Sequence, residues 1–275
     1  MTPASERTDV RVMFPDDVQD FMREHQEGTY LLLDVRQPLE YEDAHLPGAK
    51  LIPLPKLPDS LDQLDRQKPV IVYCAVGGRS RMAAQLLSHR GFKDVSHLMG
   101  GIDAWTQPAA SGPVELHLQF IRGDESPLEM ISLGLRFEEG LKKFHEAVKE
   151  RTTDLELADL LTSLIKAEES HKRTLLELLP KDKQTLSGQL SPNDASVMEG
   201  GIDVEDFLQR NKPYLQTVSG YLEMAMMVET QALDLYLRMA AACAQPETGK
   251  ILLQISEEEK AHLAALGALL EQKIR

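Results

Sequence analysis

Two sets of residues in this 275-residue chain have the types and spacing that chemistry requires. The first is a cysteine and the loop behind it. Cys74 follows the apolar run Val70–Tyr73 and precedes Ala75, Val76, Gly77 and Gly78, then Arg79 and Ser80, where an amphipathic stretch begins. A thiol in that position sits at the carboxyl end of a strand, where α/β sheets bind ligands. Gly77 and Gly78 let the loop curl so that its N–H groups point inward, and a helix N-terminus and Arg79 add positive potential. All of these favour a thiolate or a bound anion. The catalytic candidates are therefore Cys74 and Arg79, with Ala75, Val76, Gly77, Gly78 and Ser80 as an anion-binding loop. Without the loop, Cys74 would read as an inert packed thiol, which is the reading for Cys243 in its small-residue stretch Ala240–Ala244.

The second set is a pair of Glu-x-x-His units, Glu168 with His171 and Glu259 with His262. On a helix, residues three apart share a face. Glu168 and His171 fall in line with Leu161, Leu164 and Leu175, and Glu259 and His262 with Ile255 and Leu266, so both units lie on apolar stripes. Glu138 lines up with Leu135 and Leu141, and Glu229 with Leu222, Ala225, Ala232 and Tyr236. Four carboxylates and two imidazoles thus face a common axis. Burying them bare costs several kcal/mol per ion, so metal, protonation or exposure must resolve the conflict. The order Glu, Glu-x-x-His, Glu, Glu-x-x-His is that of carboxylate-bridged di-iron or di-manganese sites in helical bundles. The metal-ligand candidates are Glu138, Glu168, His171, Glu229, Glu259 and His262, for two iron ions, with manganese the alternative and no organic cofactor. Glu139, Glu169, Glu257 and Glu258 are read as solvated neighbours.

These residues need two kinds of scaffold. From Tyr30 to Trp105, short apolar or β-branched runs alternate with amphipathic stretches, the pattern of a doubly wound parallel sheet. Thr106–Val114 is rich in small residues, Pro and Gly, which marks a linker. Val114–Ile121 reads as either a strand or a packed connector. Ser126-Pro127-Leu128-Glu129 has capping-box spacing and predicts a helix to about Arg151. Thr153-Asp154-Leu155-Glu156 opens a second helix that ends before Pro180. A long polar crossover follows over 181–211, with a short helix at Val204–Arg210. A third helix is expected from about Pro213 to Ala244, and a fourth from Pro246 to near the end. The expected organisation is an α/β domain over 1–108, a connector over 109–125 and an all-α four-helix bundle over 126–275, in which one long crossover gives the ferritin-like arrangement.

Composition bounds the function. Lys and Arg number 30 against 44 Asp and Glu, a formal charge of −14, which lacks the basic footprint that nucleic-acid binding needs. Most of the acidic excess falls after residue 110. No apolar run approaches the ~18 residues of a membrane span, and the first ten residues lack a secretory apolar stretch. Two cysteines make no disulfide framework. The expectation is a soluble cytoplasmic protein with neither nucleic acid nor membrane as partner.

The segment LLLDVRQPLEYEDAHLPGAKLIP (Leu31–Pro53), the loop CAVGGRS (Cys74–Ser80) and the closing GGIDAW (Gly100–Trp105) occur in the order seen in rhodanese-like proteins, and residues 10–108 resemble that family. Asp34, Arg36 and His45 match its opening signature, with His45 read as a scaffold residue; Ala44 stands where Gly is frequent. The resemblance implies that Cys74 accepts a sulfane sulfur from a donor such as thiosulfate as a persulfide and passes it to a thiophilic acceptor. Loop amides and Arg79 would hold the anionic donor. Donor and acceptor could each be small molecules or proteins. Protein tyrosine phosphatases place five residues between Cys and Arg, whereas four stand here, so phosphatase chemistry is disfavoured.

Residues 126–273 resemble the rubrerythrin branch of the ferritin-like superfamily, including the aromatics Phe144 after Glu138 and Tyr236 after Glu229. The resemblance implies a non-haem di-iron centre that meets peroxide or dioxygen; the presence of both modules on one chain adds sulfur redox chemistry as a further expectation. There are departures: His145 stands where Tyr is common, and Ala232 supplies no extra glutamate. Two cysteines also leave no four-cysteine rubredoxin site, so turnover would need an external electron donor or Cys74. Ferritin-like bundles often pair, and a homodimer is expected. The contrasting reading is a non-enzymatic sulfur carrier or docking protein with a metal-free dimerisation bundle.

Overall fold

The apolar run Val70–Tyr73 becomes the central strand of a five-stranded sheet in the computed structural model, which describes residues 10–116, 124–177, 179, 197–198 and 202–274. The strands are β1 (Arg11–Met13), β2 (Leu31–Asp34), β3 (Lys50–Leu51), β4 (Val70–Tyr73) and β5 (Val95–Leu98), in the order β1-β5-β4-β2-β3. Every pairing is parallel. All four residues of β4 are buried because both sheet faces are covered. Val70 and Val72 pack against Ala83, Ala84 and Leu87 of helix α3 (Gly78–His89). Ile71 and Tyr73 face the other side, with Val18 of α1 (Pro15–Glu24) and Tyr41 of α2 (Pro38–Asp43). Helices on both faces of a parallel sheet make this the α/β unit that the alternating pattern implies. The edge strand β1 has only three residues, too few for a hydrophobic period to show.

The chain divides into two units after Leu116. The small residues expected to form an exposed linker in fact begin packed on the first unit. Ala110 is fully buried and pairs antiparallel with His45, its N–H donating to His45 O at 2.8 Å while His45 N donates back at 2.7 Å. Gly112 N donates to Glu42 O at 2.7 Å. Small side chains suit an exposed linker, but they equally permit this close backbone approach. Residues 117–123 of the expected connector lie outside the described residues.

Among the described residues, the second unit contains four long helices: α4 (Pro127–Arg151), α5 (Leu155–Glu177), α7 (Val218–Ala242) and α8 (Pro246–Ile274), with the short α6 (Val204–Asn211) before α7. Ser126 and Glu129 close a reciprocal capping box at the start of α4, with Ser126 N donating to Glu129 Oε2 at 2.8 Å. Asp154, rather than Thr153, caps α5, accepting from Leu157 N at 3.0 Å. The third long helix begins later than Pro213, because Tyr214–Gln216 tighten into a 3₁₀ turn and Thr217 becomes the cap, its Oγ1 accepting from Gly220 N at 3.2 Å. Its end falls at Ala242, so Cys243 caps the helix instead of lying within it. In the crossover, β6 (Val197–Met198) pairs antiparallel with β7 (Ile202–Asp203) and lies against α4 at Gly140. A Cβ there would stand 2.2 Å from Val197 O, so the approach requires glycine. Residues 181–196 and 199–201 of the crossover lie outside the described residues.

α4 packs on α5 and α8, and α7 packs on α8. Two apolar clusters fill the unit, one around Phe144, Leu161, Tyr221 and Leu222, the other around Ile131, Leu135, Leu235 and Ile255. On each long helix, one glutamate separates residues of one cluster from residues of the other: Glu138 on α4, Glu168 on α5, Glu229 on α7 and Glu259 on α8. Along the chain, α4 and α8 pass from the second cluster to the first, and α5 and α7 pass the other way. The carboxylates therefore form a polar belt between two apolar layers. Among the described residues, no helix is long and apolar enough to cross a membrane.

Candidate active site and candidate metal centre

Cys74 stands at the carboxyl end of β4, 1% exposed. Its sulfur accepts from Gly77 N at 3.1 Å and from Ser80 N at 3.4 Å, and lies 3.6 Å from Ser80 Oγ. The loop takes this shape because Gly77 adopts φ +104°, a left-handed conformation natural to glycine, and then caps α3. A second strand-end segment clamps it. Ile102 N donates to Cys74 O at 2.8 Å and Asp103 N to Ala75 O at 3.1 Å. Gly101 lies so close that a Cβ would fall 2.1 Å from Ala75 O and 2.2 Å from Cys74 O. Burial pushes the Cys74 thiol up, but the amide and hydroxyl of Ser80 and the amides of Gly77 and Val76 outweigh it, and the net shift is downward. The arrangement stabilises a thiolate.

Of the expected loop residues, Ser80 and Gly77 supply the shortest contacts to sulfur, while the Val76 side chain is 68% exposed at the mouth. Arg79, expected to help hold an anionic donor, is itself ion-paired beside the loop. Its guanidinium forks onto Glu40, with Nη1 2.7 Å from Oε2 and Nη2 2.5 Å from Oε1. Arg79 holds the Glu40 carboxyl down to about 2, and Glu40 in turn raises Arg79. Glu40 is a site residue that sequence reasoning left without a role, although it belongs to the Glu-Tyr pair of the opening segment. His45 stacks on Tyr41 with ring centroids 3.7 Å apart, and its Nδ1 lies 2.8 Å from Tyr41 O, in keeping with a scaffold residue. Arg36 forks onto Asp34 and also donates to Ala44 O at 2.6 Å, which fixes the strand end beside the site.

In the helical unit all six expected ligands come together. Glu138, Glu168 and His171 offer one ligand atom each within 4.8 Å of one another, and so do Glu229, Glu259 and His262. The four carboxylates are buried, and the imidazoles are less so. His171 Nδ1 lies 3.0 Å from Glu168 Oε2 and 3.5 Å from Glu138 Oε2. His262 Nδ1 lies 3.6 Å from Glu229 Oε2 and 3.5 Å from Glu259 Oε2. The His171 and His262 rings stack, which joins the two triads. Burial pushes Glu168 up, but His145 and His171 outweigh it and hold it well below the usual carboxylate range. Burial lowers His262, and the carboxylates led by Glu229 reverse the sign and raise it.

These residues fit divalent metal ions. Glu229 Oε2 and His262 Nδ1 are buried with no hydrogen-bond partner among the described residues, an expensive state that a cation between them would relieve. Carboxylate oxygens with imidazole nitrogens suit iron or manganese. Glu139 and Glu169 point away from this set and are bridged by Lys172 at 2.6 and 2.9 Å. Sequence reasoning missed two residues beside it. His145 Nε2 lies 3.3 Å from Glu168 Oε1, and Tyr221 Oη lies 2.6 Å from His145 Nδ1. The signal was His145 itself, a polar residue one position past Phe144 on the buried face.

Residues 17–108 match the Rhodanese-like domain family. The chain is 44% identical over 79 residues to the chloroplastic Rhodanese-like/PpiC domain-containing protein 12 of Arabidopsis thaliana, across 27% of this chain and 26% of that protein. It is 39% identical over 75 residues to the thiosulfate sulfurtransferase GlpE of Coxiella burnetii, across 27% of this chain and 70% of that protein. It is 40% identical over 78 residues to the probable adenylyltransferase/sulfurtransferase MoeZ of Mycobacterium tuberculosis, across 28% of this chain and 20% of that protein. The chain thus spans about a quarter of the Arabidopsis relative's length and a fifth of the mycobacterial one. The family match ends at residue 108, before the helical unit. With a thiolate-stabilising loop on a parallel α/β sheet and this likeness over the same residues, the chain belongs, through its N-terminal unit, to the rhodanese-like family.

Proposed function

We propose that this protein is a sulfurtransferase in which Cys74 carries a sulfane sulfur as a persulfide, joined to a ferritin-like helical unit that holds two divalent metal ions. The observation that carries the first part is the cradle of Cys74, with Gly77 N at 3.1 Å and Ser80 N at 3.4 Å from the sulfur, in a chain 39% identical over this region to a thiosulfate sulfurtransferase. The Cys74 thiolate attacks the outer sulfur of a donor such as thiosulfate. A sulfur–sulfur bond forms at Cys74, the one in the donor breaks, and sulfite leaves with the electron pair. A thiophilic acceptor, cyanide in the assay or a thiol, then attacks the outer sulfur, and the Cys74 thiolate departs with the electrons of the broken bond. The loop amides hold the charge at the start and end of each cycle. Thiosulfate-to-cyanide transfer by the wild type, lost on Cys74→Ser, is the expected result; transfer retained by the variant overturns the assignment.

The second part rests on the two facing triads. Glu138, Glu168 and His171 would hold one ion and Glu229, Glu259 and His262 the other. Two iron ions there would supply redox chemistry toward peroxide or dioxygen, given electrons from an external donor; manganese is the alternative metal. The chain's own residues set the surroundings: the four glutamates lie between the two apolar clusters, and the imidazoles are partly exposed. Elemental analysis of protein produced with iron and purified without chelator tests this part. About two ions per chain support it. A folded, metal-free chain overturns it and leaves a sulfurtransferase with a docking or dimerisation unit.

A further inference from the structure

We infer that Tyr221 and His145 are positioning residues for the candidate metal centre: they commit one oxygen of Glu168 to the protein and leave the other to an ion, which makes the Glu138–Glu168–His171 position chemically distinct from its counterpart. This inference rests on the two-metal reading above.

Tyr221 is fully buried, and its hydroxyl has one hydrogen-bond partner among the described residues, His145 Nδ1 at 2.6 Å. A phenol keeps its proton at neutral pH. A buried proton with no acceptor is costly, so the hydroxyl donates to Nδ1. An imidazole that accepts at Nδ1 carries its proton on Nε2. That nitrogen faces Glu168 Oε1 at 3.3 Å and donates to it. The three groups form a directed chain, phenol to imidazole to carboxylate, that leaves Glu168 Oε2 beside His171 Nδ1 at 3.0 Å. The carboxylate is therefore oriented by the protein and does not depend on an ion for its rotamer. Partners of this kind fix a ligand's geometry and raise its affinity. Seven residues after Glu229 stands Tyr236, where His145 stands seven after Glu138, so the imidazole is specific to one triad's helix.

The test is a competition titration of the full-length chain, stripped of metal, with Co(II) against a chromophoric chelator, following both affinity and the visible absorption of bound cobalt. The wild type is expected to take two ions. Tyr221→Phe and His145→Leu should weaken one of them about 10–100-fold and alter its spectrum while leaving the other unchanged. His145→Gln restores an N–H donor toward Glu168 and should recover much of the lost affinity, which a purely space-filling role would not. If His145→Leu fails to fold, the near-isosteric Tyr221→Phe decides alone. Two ions bound by Tyr221→Phe with wild-type affinity overturn this inference only. A wild-type chain that takes no cobalt overturns the two-metal reading and this inference with it.

Discussion

The imidazole rings of His171 and His262 stack face to face, with centroids 3.6 Å apart and planes 19° from parallel. Each belongs to a different Glu-x-x-His unit, so the contact joins α5 and α8 at the belt of buried carboxylates. Replacing His171 by Ala should lower metal content from about two ions per chain to about one. It should also lessen the rise in melting temperature that metal confers, since an ion that binds only the folded state stabilises it. Elemental analysis beside thermal melting, with and without chelator, checks both. Two ions retained by the variant would remove His171 from the ligand set.

Reactivity at Cys74 has a predictable pH profile. The thiolate is stabilised by amides that exist only in the folded loop, so its titration lies below that of an ordinary cysteine. The sign follows: as pH falls, Cys74 stays deprotonated and reactive below the point where a free thiol protonates. Iodoacetamide labelling of Cys74 followed by mass spectrometry should therefore give a rate midpoint below that of an ordinary cysteine thiol measured alongside. Ser80→Ala removes the hydroxyl and should move the midpoint upward. A midpoint at or above the ordinary thiol value would contradict the cradle's role.

Glu40 restrains Arg79, and both side chains are 35% exposed. Removing its charge with Glu40→Gln leaves the guanidinium positive and unneutralised at the mouth of the site. The KM for thiosulfate should fall several-fold with little change in kcat, and the advantage should shrink at high salt as the Debye length shortens. A KM that rises at every salt concentration would show that Glu40 serves to orient Arg79. Because Arg79 holds Glu40 at about 2, the wild-type pair should persist through the mildly acidic range and be lost only as pH falls toward that value.

Gly101→Ala places a methyl group on the carbonyls of Cys74 and Ala75 and forces alanine to φ +61°. Strain of this kind costs about 1–3 kcal/mol before the overlap is relieved. The variant should melt at lower temperature and lose transferase activity together, because the displaced loop carries the amides of Gly77 and Ser80. Circular dichroism melting and the thiosulfate assay check this; full activity in a destabilised variant would separate the clamp from the cradle.

What the amino-acid sequence by itself determined is local. A strand, two glycines and a helix start are consecutive, so the Cys74 loop follows from neighbouring residues. The 3.6-residue period put each of the four glutamates and both histidines on an inward stripe without knowledge of any partner helix. Tertiary structure decided the rest. Arg79 meets Glu40, His45 pairs with Ala110, His171 stacks on His262, and Tyr221 reaches Glu168 through His145, each contact joining elements far apart in the chain. Periodicity tells which face of an element turns inward, but not the rotation and translation at which two elements pack. Those depend on side-chain volumes across the whole core, and they select which polar groups come within hydrogen-bond distance.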